Sequence, residues 1–366
     1  MIGLKRKLIP ALFLIFMLCL PLNRISAQEN NHLQAKENNI AKEEGKEKFN
    51  PSEFIIDHVS DSHEWHIMTL ASGKDIAIYL PVILWNKEKG LNIFSSKKLA
   101  HGNVYNGYML AEEGNLKGMI VPVKSDGTID EENLPLDFSI TKAIAGMIFT
   151  AVVGLILFIS LARSYKKTGI SHPHGLQSFL EPVILFVRDD IAIPNLGHEH
   201  YEKFLPYLLT AFFFILINNL FGLIPFPPPF GANVTGNIGV TMVLAIFTFL
   251  FINLNGSKSY WRDILANPGV PLWLLPVMIP VEIIGMISKP FALMIRLFAN
   301  ISAGHIIVLS LVALIFIFES VWIAPVSGVF ILFMDCLETL VAFLQAYVFT
   351  LLSALFIGLA VKEEHH

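Results

Sequence analysis

Cysteine is almost missing from this chain: of 366 residues only Cys19 and Cys336 carry a thiol. Cys19 falls in a segment expected to be removed and Cys336 in an apolar run, so the mature chain closes no internal disulfide and no redox role is indicated. Charge is scarce too. Asp, Glu, Lys and Arg make up 15% of the residues against 54% hydrophobic and 29 Phe, a composition that water alone does not solvate. The formal net charge of -4 is small, and the cations sit between apolar runs instead of forming a basic stripe, which argues against nucleic acid as a partner. No Gly-x-x-x-x-Gly-Lys-Ser/Thr loop occurs, so nucleotide chemistry is not expected here, and nothing calls for a cofactor. Asp57, His58, Asp61, His63 and His66 lie close in sequence, but their spacings match no strong zinc pattern and read as a solvated face.

What is present divides the chain in two. Lys5, Arg6 and Lys7 precede an apolar run over 8–22, then Ile25-Ser26-Ala27, the order of regions in a secretory signal peptide. The run is shorter than the roughly 20 residues of a spanning helix, and Leu18 is too large for lipoprotein processing at Cys19. Residues 1–27 are therefore expected to be removed, leaving 28–50 as a Glu-, Lys- and Asn-rich linker. Residues 51–142 read as a small periplasmic extension, with strand-like runs at 76–85 and 108–110 separated by turns such as Lys89-Gly90.

From 143 onward the chain reads as a membrane domain to 366. Residues 143–162 span, and Arg163, Lys166 and Lys167 mark the cytoplasmic end. Residues 174–191 mix apolar side chains with Gln177, Glu181, Arg188, Asp189 and Asp190, as an interfacial helix does. Residues 204–224 return outward, 225–236 form a loop without Lys or Arg, and 238–254 come back toward Lys258 and Arg262. Two longer runs follow, 270–318 and 321–361, each exceeding a perpendicular crossing and implying steep tilt or an embedded hairpin. The first carries Glu282, Lys289, Arg296 and His305; the second carries Asp335, Glu338 and Gln345. A charge at the bilayer centre costs at least about 2.5 kcal/mol, so this many ionisable groups point to a wet path. Glu282, Lys289 and Arg296 recur every seven residues, with Asn300 four beyond, and Glu338 and Gln345 share the same spacing. The fold expected is an all-α polytopic membrane protein. It has about five membrane-embedded helices, an interfacial amphipathic helix and a long tilted C-terminal hairpin, preceded by a small region whose strand-like runs make β structure the expectation there.

Ser288-Lys289-Pro290, then Arg296-Leu297-Phe298-Ala299-Asn300 and Gly304-His305, resemble the signature of the a subunit of bacterial F-type ATP synthases. The stretches from Asn218 to Pro225, from Ala232 to Asn237 and from Leu344 to Phe349 carry the same resemblance, which runs over 143–361. It implies an ion-translocating stator subunit with two aqueous half-channels serving the carboxylates of a rotating c-subunit ring. The implied partners are that ring, the b subunits of the peripheral stalk, membrane lipid and protons, with sodium left open. By the same resemblance Arg296, Asn300, His305, Glu338 and Gln345 lie on the proton path. Glu282, Asn219, Asn233 and Asp335 are further candidates for half-channel lining, weighed against helix-end, capping and local hydrogen-bonding roles. Two departures stand out: Ala299 replaces the usual Gly, and His305 and Glu338 have exchanged the acidic and imidazole positions of much-studied members. The resemblance also puts the protein in a bacterial inner membrane with its C-terminus cytoplasmic. It does not extend over 28–136.

Two other classes remain on the residues alone. A secondary transporter or ion channel also needs intramembrane charge, though no repeated pair of broken helices is present. A membrane-tethered periplasmic sensor needs only anchors, which do not require Arg296, His305 and Glu338.

Overall fold

The computed structural model describes residues 50–362 except 70–74, 88, 112–115, 125–127, 132, 169–174, 225–227, 229, 266–270, 272 and 319–321. Residues 1–49, over which the sequence predicts a signal peptide and most of a linker, lie outside these residues. A short helix, α1 (Pro51–Val59), leads into strands β1 (Glu64–Thr69), β2 (Asp75–Tyr79), β3 (Pro81–Asn86) and β4 (Gly90–Ser95). Three shorter strands follow: β5 (Tyr108–Leu110), β6 (Ile120–Pro122) and β7 (Leu136–Asp137). Among the described residues these strands pair antiparallel in three small sheets, β1-β2, β4-β3-β7 and β5-β6. The period-2 alternation of β3 turns Val82 and Leu84 inward onto Phe94, Leu99, Tyr108 and Ile120, a core of its own. Gly90 closes the β3–β4 hairpin at φ +67°, where its lack of Cβ removes the strain of a left-handed backbone.

The unit is pinned to the first membrane helix, α2 (Lys142–Thr168). Helix N-termini leave amide groups without intrahelical acceptors, and Asp61 supplies one across the chain. Its carboxylate accepts from the Ala143 amide at 2.9 Å, the Thr141 hydroxyl at 2.8 Å and the Asn237 amide nitrogen at 3.4 Å. Asn237 in turn caps helix α5 through Gly239, so one carboxylate ties two helix starts together. His63 meets Asp137 at 3.2 Å in the same junction, and Phe54 of α1 rests 6.4 Å from Phe316, ring centroid to centroid.

Helix α3 (Leu176–Phe186) passes through a π-helical turn (Val187–Ala192) into α4 (Ile193–Leu223). The sequence placed the start of this span at 204. Helix instead fills 193–203, and Gly197, at φ 76° and ψ 165°, absorbs the change of direction there. Next come α5 (Ile238–Leu254) and α6 (Lys258–Leu265), bent 101° from each other. The chain closes with α7 (Leu275–Phe318) and α8 (Ile323–Val361). Among the described residues, four helical stretches are long and apolar enough to cross a membrane, or five if the bent pair is one span. At 1.5 Å per residue, the 44 residues of α7 and 39 of α8 reach about 66 and 58 Å, roughly twice a hydrocarbon core, as the tilted hairpin requires.

Burial sorts these helices. The most apolar window of the α3–α4 stretch is 83% buried, that of α7 only 11%. Helix α4 is thus the spine, with Phe204, Leu208, Leu209 and Ile215 sealed among α2, α5 and α8, while α7 turns Val281, Ile284, Ile287 and Phe291 outward. A helix so apolar on its outer side is solvated by lipid or by another apolar protein surface.

Candidate functional site

A cavity of about 350 Å³ opens where α4, α7 and α8 meet, beside the turn that precedes α5. Its walls are mostly apolar, but six of the polar side chains singled out from sequence converge on it: Asn219, Asn233, Asn300, His305, Glu338 and Gln345. They come from four separate stretches of chain. The seven-residue spacing of Glu338 and Gln345 puts both on one side of α8, and the cavity lies on that side.

Within the cavity His305 Nδ1 lies 3.5 Å from Glu338 Oε2, across the α7–α8 contact. Both side chains are largely shielded, at 18% and 11% exposure, and Glu338 Oε1 is buried without a protein partner. One carboxylate oxygen thus faces the imidazole while the other is buried against the backbone at Gly304. The backbone makes room for it. A Cβ on Gly304 would sit 2.7 Å from Glu338 Oε1, and one on Gly222 would touch His305 Nε2 at 3.8 Å. Asn219 is fixed by its own bonds: it accepts from the Thr235 hydroxyl at 2.6 Å and donates to the Ala342 carbonyl at 3.3 Å. Asn233 accepts from the Gly236 amide at 2.9 Å, leaving its buried amide nitrogen without a protein partner.

The remaining candidates stand apart. Glu282, Arg296 and Asp335 do not line this cavity. Arg296 is exposed on α7, about one turn from Asn300, and makes no hydrogen bond or ion pair among the described residues. Asp335 is likewise exposed, one turn before Glu338. Lys289 lays its ammonium 5.6 Å from the Phe356 ring centroid, within cation–π range.

Family comparison matches residues 144–358 to the ATP synthase A chain, more than half of the sequence. The chain belongs to that family. Relatives of the ATP synthase A chain family include ATP synthase subunit a of Chloroherpeton thalassium, 48% identical over 236 residues, covering 63% of this chain and 69% of the relative. Another is ATP synthase subunit a 2 of Chlorobaculum tepidum, 50% identical over 235 residues, covering 62% and 64%. A third is ATP synthase subunit a 2 of Chlorobium luteolum, 46% identical over 249 residues, covering 65% and 71%. Residues 54–138 separately match a domain of unknown function. As a member of the ATP synthase A chain family, this multi-pass membrane protein is a non-catalytic subunit of the membrane sector.

Several residues that build the site entered the sequence reading only as part of a motif, or not at all, and were given no role there. Thr235 orients Asn219, Gly304 and Gly222 admit Glu338 and His305, and Thr150 holds Asn218 at 2.9 Å. A second buried polar seam, Tyr207–Thr248–Ser353, links α4, α5 and α8 at 2.7 and 3.4 Å. The available signal was small or hydroxyl-bearing residues interrupting otherwise apolar runs, which mark close helix approach and interhelical bonds.

Proposed function

We propose that this chain is the ion-translocating stator subunit of a rotary ATP synthase, and that its cavity is part of a half-channel serving ring carboxylates. The observation that supports it most is the convergence of Asn219, Asn300, His305, Glu338 and Gln345 on one cavity while Arg296 stays on the open side of α7. Protons reach the cavity polar groups and pass to a carboxylate of the c ring; the b subunits hold the stator against rotation. A guanidinium is a cation with five donors and no acceptor, so Arg296 pairs with an ionised ring carboxylate without carrying a proton itself. Standing between two half-channels, its charge opposes a direct proton shunt. Cations at 163–167, Lys258 and Arg262 support an orientation in a bacterial inner membrane with those ends and the C-terminus in the cytoplasm and the extension 28–142 in the periplasm.

The test pairs two measurements on vesicles holding equal amounts of assembled complex. Arg296→Ala should abolish ATP synthesis driven by a proton gradient yet keep or raise passive proton conductance. Arg296→Lys should rescue poorly, because an ammonium is a strongly hydrated point charge that loses its proton when desolvated. Coupled synthesis by the Ala variant would remove Arg296 from the mechanism. ATP-driven acidification with and without sodium identifies the ion.

A further inference from the structure

The β4-β3-β7 sheet has two apolar faces, and the described residues cover only one of them. Val82, Leu84 and Phe94 point into the extension's own core. On the other side stand Ile83, Trp85, Leu91, Ile93, Leu136 and Phe138, of which the last five are between 41 and 65% exposed. They form one patch: Ile83 pairs with Ile93, Trp85 lies between Leu91 and Leu136, and the Phe138 amide donates to the Ile83 carbonyl. A contiguous apolar face of this kind on a small unit marks an interaction surface.

The same face continues into the membrane sector. Ile140 follows Leu136 and Phe138 at period 2, bonds through its amide to the Pro81 carbonyl, and packs on the buried core of the membrane helices. Two residues later α2 begins, so Phe138 lies within about 13 Å of chain from a spanning helix. The neighbouring hairpin agrees: Trp65 is buried in the membrane-domain core, and its cross-strand partner Ile78, on the same side, is exposed. Two adjacent sheets therefore turn apolar faces toward the end of the helical bundle. Trp and Phe are suited to the headgroup boundary, and exposed Lys87 and Lys97, flanking β4, supply cations for anionic headgroups.

We propose that the outer face of the β4-β3-β7 sheet rests on the lipid bilayer beside the N-terminal end of α2, making the extension a monotopic, lipid-seated unit. The lipid surface fixes the extension over the helix starts that Asp61 joins, independently of which side of the membrane they occupy.

The test reads Trp85 in the full-length chain, reconstituted in phosphatidylcholine–phosphatidylglycerol vesicles. The emission of Trp85 is the difference between wild type and Trp85→Phe. Lipids brominated near the headgroup end of their chains should cut that difference signal roughly in half, and aqueous acrylamide should leave it nearly intact. A Leu91→Trp probe in the Trp85→Phe background reads the adjacent strand and should behave alike. Quenching by acrylamide without quenching by brominated lipid would put the face in water and overturn the proposal. Protection from both quenchers, measured in the assembled complex as well, would mean that a protein covers the face, and overturns it equally.

Discussion

At the scale of single residues, the site turns on a carboxylate and an imidazole 3.5 Å apart, each contributed by a different helix. Removing either leaves a buried ionisable group without its partner, so His305→Ala and Glu338→Gln should each impair ATP-driven acidification. Exchanging them, His305→Glu with Glu338→His, should recover more pumping than the two single losses predict; groups in contact couple by about 0.5–3 kcal/mol, and strictly additive losses would refute the pairing. Gly304 gives an independent check. Gly304→Ala puts a methyl against Glu338 and should lower pumping with assembly unchanged, and adding Glu338→Asp, which shortens the crowding side chain, should restore part of it. Both pairs are read in vesicles normalised for assembled complex.

At the scale of elements, α8 reaches α4 through small and hydroxyl-bearing positions. Gly358 lies so close to the Asn195 carbonyl that a Cβ would collide with backbone, which cannot swing aside as a flexible side chain does. Gly358→Ala should therefore destabilise the α4–α8 contact by about 1–3 kcal/mol, seen as a lower unfolding midpoint in detergent. Thr248→Val removes the bond between Tyr207 and the Thr248–Ser353 pair; interhelical bonds in membranes average about 0.6 kcal/mol, so its effect should be the smaller of the two. These elements were unevenly legible. Long apolar runs located α2, α5, α7 and α8 closely, because lipid demands continuous hydrophobicity. The stretch 193–203 was not, since its polar and Gly/Pro residues resemble a loop until they pack into a kinked helix.

At the scale of the whole molecule, Asp61 joins the extension to the membrane helices, and Asp137, braced on His63 within the extension beside that junction, has the opposite pH behaviour. Burial pushes Asp61 above its usual 3.8, only partly offset by hydrogen bonds from Ala143 and Thr141. A raised carboxyl favours the docked state fully below 3.8 and loses that contribution as pH rises through the docked-state value. Burial also acts on Asp137, but the hydrogen bond and charge of His63, with Ser139, outweigh it and hold that carboxyl below 3.8. Its contribution is present above 3.8 and disappears as pH falls through the lowered value. Asp137→Asn should thus loosen the junction at neutral pH, whereas Asp61→Asn should flatten the decline seen on raising the pH from about 4. Hydrogen exchange at the amides of Ala143 and Gly239 in the full-length chain reports both.

The sequence by itself determined the membrane character, the family and the identities of the polar residues, because each is written in local hydrophobicity or in a contiguous motif such as Arg296 to Asn300. It also put Glu338 and Gln345 on one side of a helix, since helical periodicity is a local property. Only the tertiary structure decided that Asn219, Asn233 and Gln345 share a cavity with His305 and Glu338, and that Glu282, Arg296 and Asp335 stand outside it. That division depends on how α4, α7 and α8 rotate against one another. The rotation is set by small contacts far apart in the chain, with Gly358 against Asn195 and Gly304 against Glu338 among them, and no periodicity records which of two helix faces meets the other.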